Sequence, residues 1–289
     1  MFRKILFPTD LSKASQKVID CIPDLKRVGL EEAIIVHVID IRTAGGAAPA
    51  LQEADKEILD QKKKELEKEQ LKVDVKVLIG VPSVEIVNLA NRENVSMVVM
   101  PAKGESFVEH ILLGSVTENV IRHAHKPVLI HKFAPLREKS KEECDLACKD
   151  IFKRILYPTD FSDSAEKVID YLKEMVDADC KEIIVYHVQD TRHLSPHLMD
   201  KIDEFNKIDS DRLEKIKAQL EKFGFKKVTT RLETGVSITK ILETAEELDV
   251  CLIAMGAHGK SKVAKMFLGS VSENVVRKST KPVLLVHTD

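Results

Sequence analysis

Glycines at a fixed spacing follow an apolar run near the end of the chain. Gly256 and Gly259 come directly after the run that ends at Met255, and Gly269 stands immediately before Ser270. Glycine lets backbone N–H groups approach an anion closely and tolerates positive φ, and successive amides can form a nest for phosphate. The hydroxyl of Ser270 and the first N–H groups of a helix that starts there suit the same ligand. The spacing therefore predicts a phosphate-binding loop.

An acidic residue ends the first strand pattern in the same half of the chain. Asp160 follows the apolar run of "RILYPTD" at 154–160. In a parallel α/β sheet, ligands bind beyond the carboxyl ends of the strands where the strand order reverses, and acidic residues there accept hydrogen bonds from ribose. If the two strands are neighbours, Asp160 and the glycines face one crevice. A mononucleotide fits that combination.

Each of these residues also has a purely structural explanation. Ser270 and Glu273 in "SVSE" match a capping box, which returns as "SVTE" at 115–118. Asp160 could cap the helix that follows it or close a turn, and the glycines could be ordinary turn residues. The sequence leaves both explanations open.

The histidines and the absent motifs restrict the chemistry further. His37 and His187 occupy equivalent strand ends, which favours a structural role, while His258 within the glycine loop is better placed to contact ribose or phosphate than to act as a base. The chain has neither the G-x-x-x-x-G-K-[ST] motif nor a G-x-G-x-x-G after its first strand. We assign no catalytic residue and no metal ligand.

A long internal repeat organises the chain. "ILFPTD" at 5–10 returns as "ILYPTD" at 155–160, and "LGSVTENVIR" at 113–122 returns as "LGSVSENVVR" at 268–277. The separation grows from 150 to 155 residues, so five residues must enter after the second strand. Short apolar runs that alternate with helical patterns are typical of parallel strands covered on both faces. We predict two tandem doubly wound α/β domains of about five strands each, at 1–133 and 151–289, with a charged linker at 134–150.

Composition narrows the possible partners. Charged residues make up 32%, aromatic residues 4%, and the net charge is −2, which argues against nucleic acid as a partner. No apolar run approaches the length of a membrane helix, and neither a membrane partner nor a signal peptide is expected. Five scattered cysteines do not form a disulfide framework. We expect a reduced, cytoplasmic protein.

Taken together, the motifs resemble the universal stress protein family in its tandem form. Gly, two residues, Gly, nine residues, Gly and Ser is the signature of its ATP-binding members, and "YPTDFS" matches their usual first-strand ending. The resemblance implies an adenine nucleotide alpha hydrolase-like fold with strand order 3-2-1-4-5. It also implies ATP, ADP or AMP as ligand, with or without Mg²⁺. The nucleotide would contact Pro158, Thr159, Asp160, Val188, Met255, Gly256, His258, Gly259, Gly269, Ser270, Val271 and Ser272.

The same resemblance predicts roles for these residues and an assembly. Asp160 would hold ribose or adenine, the backbone of Val188 would meet adenine, and 255–259 with 269–272 would surround ribose and phosphates. The family dimerises through its last strand, so "PVLIH" and "PVLLVH" of the two repeats are expected to pair as an internal pseudo-dimer, with a homodimer as a further option. The protein partner is unknown.

The first repeat departs from the signature. Pro101 replaces the first glycine and lacks an N–H. The counterparts that survive form a weaker predicted site: Asp10, Val38, Gly104, Gly114 and Ser115. We therefore predict that the second repeat is the better nucleotide site.

Three functions follow from this interpretation. The first is a regulatory, stress-response protein whose state depends on an adenine nucleotide. The second is a slow ATP hydrolase, which the absence of an evident second carboxylate for Mg²⁺ makes less favourable. The third is an interaction scaffold that binds no nucleotide.

Overall fold

The computed structural model describes residues 2–103, 113–132, 151–176, 178, 180–190, 201–259 and 268–288. The chain forms two compact units, Met1–Lys149 and Asp150–Thr288. The predicted linker at 134–150 and Gly104 lie outside the described residues.

Each unit contains five parallel strands among its described residues. In the first unit these are β1 Lys4–Thr9, β2 Glu32–Asp40, β3 Lys72–Gly80, β4 Met97–Pro101 and β5 Val128–His131. In the second unit they are β6 Arg154–Pro158, β7 Glu182–Asp190, β8 Val228–Gly235, β9 Leu252–Gly256 and β10 Val283–Val286. The order is β3-β2-β1-β4-β5 in one and β8-β7-β6-β9-β10 in the other, so the predicted order 3-2-1-4-5 is confirmed.

Helices connect the strands in both units. The first contains α1 Lys13–Asp20, a 3₁₀ helix Ile22–Val28, α2 Ile41–Ala44, a 3₁₀ turn Gly45–Ala47, α3 Ala48–Glu67, α4 Pro82–Arg92 and α5 Ser115–His123. The second contains α6 Asp163–Lys173, α7 Ile202–Phe223, α8 Ser237–Glu247 and α9 Ser270–Lys278.

The sequence explains why the sheets sit inside their units. The central strands are near-continuous apolar runs, and residues 33–36 of β2 and 183–186 of β7 are fully or almost fully buried. Strands of this kind need cover on both faces, which the amphipathic helices supply. The sheet therefore forms the middle layer, and its carboxyl edge is where the loops meet.

Equivalent residues show where the five extra residues of the second unit enter. The separation is 150 between His37 and His187, and 154 between Asp55 and Asp209, which contact those histidines. It reaches 155 at the next strand, since Val73 pairs with Ala33 and Val228 pairs with Ile183. Four residues are thus inserted before Asp209 and one after it, in the predicted variable stretch.

The expectation that the cysteines are reduced is wrong for Cys21. Cys21, at the end of α1, is disulfide-bonded, whereas Cys251 is a free thiol. The scattered spacing of the cysteines gave no sign of this bond, because disulfide pairing depends on distances in the fold rather than on distances along the chain.

Candidate functional site

A cleft of about 480 Å³ lies at the carboxyl ends of β6, β7 and β9. Its volume falls within the usual range for small-molecule sites. The structure brings together in its wall every residue that the sequence predicted for the second repeat: Pro158, Thr159, Asp160, Val188, Met255, Gly256, His258, Gly259, Gly269, Ser270, Val271 and Ser272.

The turn after β6 places Asp160 at the mouth of the cleft. One carboxylate oxygen, Oδ1, accepts hydrogen bonds from the backbone N–H of Ser162 at 3.1 Å and from its hydroxyl at 2.5 Å. The helix cap is Ser162, whose hydroxyl accepts from the N–H of Ala165. Phe161 between them has φ 59°, a strained conformation for a residue with a side chain. Asp160 therefore closes a turn and does not cap the helix.

Gly259 lies against the other oxygen of that carboxylate. A Cβ at Gly259 would lie 2.9 Å from Asp160 Oδ2, which is closer than real Cβ atoms come. The glycine loop and the acidic turn therefore meet in the cleft, as the sequence predicted.

His187 braces the same turn from β7. Its Nδ1 lies 2.6 Å from the carbonyl oxygen of Thr159, and its Nε2 lies 3.5 Å from Asp209 on α7. A carbonyl only accepts, so Nδ1 donates this bond. The equivalent His37 makes the same bond to Thr9 at 2.8 Å. The structural interpretation of both histidines is confirmed.

The start of α9 is the most distinctive part of the cleft. Gly269 is the N-cap residue, with extended φ and ψ, and no side chain caps the helix among the described residues. Ser270 is thus the first helical residue, and the capping-box explanation is wrong. Glu273 pairs with Arg277 at 3.1 Å instead. The first N–H groups of the helix are left for another acceptor.

Gly256 is the signature glycine that the packing requires. None of Gly256, Gly259 and Gly269 has positive φ. A Cβ at Gly256 would lie 2.6 Å from the hydroxyl oxygen of Ser164 and 2.8 Å from its backbone carbon. Gly256 therefore lets α6 pack directly on β9. Gly256 is therefore a packing position and not an ordinary turn residue.

Hydrogen bonds connect this packing to the start of α9. The hydroxyl of Ser164 accepts from the backbone N–H of His258 at 3.3 Å. The carbonyl of Ala257 accepts from the N–H of Gly269 at 2.8 Å. The hydroxyl of Ser272 donates to the carbonyl of Gly256 at 2.8 Å. The end of β9 and the start of α9 are thus held together by hydrogen bonds.

Sequence reasoning missed several residues of the cleft wall. They are Ala165, Tyr186, Gln189, Asp190, Ser237 and Ile241, and His187 was recognised but not placed in the cleft. The polar pair Gln189–Asp190, which ends the apolar run of β7, was the available signal. Ser237 was beyond reach, because its contact with Asp190, 3.1 Å between hydroxyl and Oδ2, joins residues far apart in the chain.

Tyr186 contributes a neutral phenol to this wall. Burial raises its pKa to about 12, and its oxygen accepts a hydrogen bond from Thr244 at 3.1 Å. The side chain is therefore uncharged across the physiological range. Among the described residues, no group of three His, Cys, Asp or Glu side chains is arranged to hold a metal ion.

A second, smaller cleft of about 290 Å³ occupies the equivalent place in the first unit. Asp10, Val38, Gly114 and Ser115 line it together with Pro101. At the start of α5, Gly114 is the N-cap residue, and no side chain in the described part of the chain caps the helix. This cleft retains the open helix start, but residues in and around it differ from their counterparts in the second unit. Ala14 replaces Ser164, Ile39 replaces Gln189, Pro82 replaces Ser237 and Lys103 replaces His258.

A further difference concerns charge beside the first cleft. Burial lowers the pKa of Lys132 to about 8, and the nearby positive charge of Lys103 contributes to this shift. Two lysines therefore lie close together beyond β4 and β5. The equivalent positions in the second unit are His258 and His287, whose ring centroids are 6.2 Å apart.

Within the described residues, no helix is both long and apolar enough to span a membrane. Comparison with known proteins identifies the two units. The sequence profile of the universal stress protein family matches residues 1–132 and again residues 151–287.

Individual relatives agree with this match. Universal stress protein MJ0577 of Methanocaldococcus jannaschii is 37% identical over 155 residues, which cover 47% of this chain and 95% of the relative. A solved universal stress protein from Archaeoglobus fulgidus is 30% identical, with a TM-score of 0.76 and 99% of both chains covered. One from Pseudomonas aeruginosa, 16% identical with a TM-score of 0.66, covers 99% of this chain and 93% of its own and shares the fold. The chain belongs to the universal stress protein family and carries two tandem copies of its domain.

Proposed function

We propose that the cleft of the second unit binds an adenine nucleotide and that the protein acts as a nucleotide-dependent regulator in the stress response. The observation that carries the proposal is the start of α9. No side chain of the described residues caps it, and its first residues line a cleft of nucleotide size. A helix N-terminus with unpaired N–H groups attracts phosphate through both hydrogen bonding and the helix dipole.

The remaining parts of the cleft suit the other parts of a nucleotide. Asp160 stands opposite Gly259 at the mouth, where a carboxylate can accept hydrogen bonds from ribose. Val188 near the end of β7 is 9% exposed, and its apolar surface and backbone groups suit a purine. Because backbone N–H groups recognise phosphate in general, ATP, ADP and AMP are all candidate ligands, with or without Mg²⁺.

We propose binding as the function of the cleft, with slow hydrolysis as the alternative function. Phosphoryl transfer needs a metal clamp and an oriented nucleophile, and we assign neither role to a residue of this chain. A homodimer and pairing of the two last strands remain predictions from the family resemblance.

The first test is the nucleotide content of the protein. Freshly purified protein is denatured, and released nucleotide is separated by chromatography and compared with protein concentration. About one adenine nucleotide per chain supports a functional second cleft and a weaker first one. About two would contradict the difference between the repeats. None, even after ATP has been added to the folded protein, would contradict nucleotide binding and favour the scaffold function.

A pair of variants then tests the start of α9 itself. Ser270→Pro removes one backbone N–H, yet proline is well accepted at the first position of a helix, and Gly269 already has the extended conformation that precedes proline. Ser270→Ala removes the hydroxyl and keeps the N–H. We expect Ser270→Pro to weaken ATP binding about tenfold or more, since a hydrogen bond to a charged group is lost, and Ser270→Ala to weaken it less. Equal affinities for both variants and the wild type would contradict the phosphate position.

A further inference from the structure

Gln189 differs from the other polar residues of the cleft wall. It is 8% exposed and lines the cleft near the end of β7. Its amide oxygen, Oε1, is buried and has no hydrogen-bond partner in the described part of the chain. A buried acceptor without a partner costs free energy, and such groups are rare in native proteins. A ligand that brought a donor to this oxygen would remove that cost.

The orientation of the amide is fixed by Asp209. The nitrogen of Gln189, Nε2, donates to Asp209 Oδ2 at 3.0 Å. A carboxylate only accepts, so the amide cannot turn its oxygen toward Asp209. The same carboxylate lies 3.5 Å from His187 Nε2 and 3.4 Å from Arg212 Nη1, which hold it in place. Gln189 is therefore oriented to offer an acceptor and not a donor to a ligand.

The first unit has no side-chain amide at the equivalent position. The residue equivalent to Gln189 is Ile39, which is 4% exposed, whereas the histidine and aspartate around it are retained as His37 and Asp55 at 3.4 Å. The bracing residues thus occur in both units, and the oriented amide occurs in the second. The histidine and aspartate can therefore hold the turn without a glutamine beside them, and the glutamine of the second unit needs another explanation.

We infer that Gln189 selects the base of the nucleotide by accepting a hydrogen bond from its exocyclic amino group, with Asp209 as the positioning residue. The inference rests on the proposed function and adds a reason for the choice of adenine. A base with a carbonyl oxygen in place of the amino group, such as hypoxanthine, would bring one acceptor against another. Sites built around a hydrogen bond discriminate strongly against ligands that cannot make it.

Binding of ATP and of inosine triphosphate to the whole chain tests the inference, because the two differ at that amino group. We expect the wild type to bind ATP at least tenfold more tightly. Gln189→Leu should abolish the preference through weaker ATP binding. Asp209→Asn should reduce it in a different way, through tighter binding of inosine triphosphate, because asparagine permits the amide of Gln189 to turn over. Circular dichroism and melting temperatures show whether both variants remain folded.

The outcomes separate the inference from the proposed function. A role of Gln189 in packing alone would change both affinities by the same factor and leave their ratio intact, and that result overturns the inference. Equal binding of the two nucleotides by the wild type overturns it as well. Failure of the wild type to bind either nucleotide overturns the proposed function, and the selection of a base with it.

Discussion

His131 ends β5 with its imidazole in the interior of the protein, 2% exposed. Burial lowers its pKa to about 4 from the usual value near 6.5. Between pH 4 and pH 6.5 this histidine is protonated in the unfolded chain and neutral in the folded chain. The free energy of unfolding therefore decreases as the pH falls from 6.5 to 4. The full loss amounts to about 3 kcal/mol. We expect urea midpoints to decrease over this pH range.

The second unit supplies the control for this titration. Val286 stands at the position of His131, since it pairs with Gly256 as His131 pairs with Pro101. His131→Val should remove the part of the acid sensitivity that lies between pH 6.5 and pH 4, while acid unfolding below pH 4 persists. An unchanged pH profile in the variant would show that other groups cause the loss.

At the scale of elements, the contact between α6 and β9 supports the start of α9. Ser164→Ala removes the hydroxyl that accepts from the His258 N–H. We expect a loss of about 1 kcal/mol in stability and a several-fold weaker affinity for ATP, because the end of β9 is then less firmly placed. Calorimetry and thermal unfolding provide the two measurements.

The first unit again offers a matched control, since its α1 carries Ala14 at this position. Ala14→Ser changes the other unit and should leave the affinity of the second cleft as it is. If Ser164→Ala retains full affinity, the position of α9 does not depend on this hydrogen bond.

The sequence predicts residues at the ends of parallel strands better than residues whose partners lie on other elements. Asp160 and the glycines were placed in one cleft because strand ends of a parallel sheet share an edge, a general rule that needs no coordinates. The helix start at Ser270 was predicted, but the choice of N-cap was left open, since Ser270 and Gly269 are both acceptable N-caps and only the backbone decides between them. Gln189, Ser164 and Ser237 were missed because their partners come from other elements.

At the scale of the molecule, we expect the two clefts to differ in nucleotide binding. A small number of residue differences between the two units accounts for this. Introducing Ala14→Ser, Ile39→Gln and Pro101→Gly together gives the first unit three of the residues found in and around the second cleft, and Asp55 is already in place to orient a glutamine. We expect released nucleotide to rise from about one to about two per chain. The single variant Pro101→Gly measures how much of the effect the proline causes. A content that stays at one would contradict the role of these three positions.

The presence of both repeats in one polypeptide also has a genetic consequence. Two separate genes would be transcribed and translated to different extents, and their products could exchange between assemblies. Here every ribosome that completes the chain delivers one copy of each cleft, so their ratio cannot drift with expression level. The first repeat, with Pro101 and Ile39, is therefore always delivered together with the repeat that carries the complete signature.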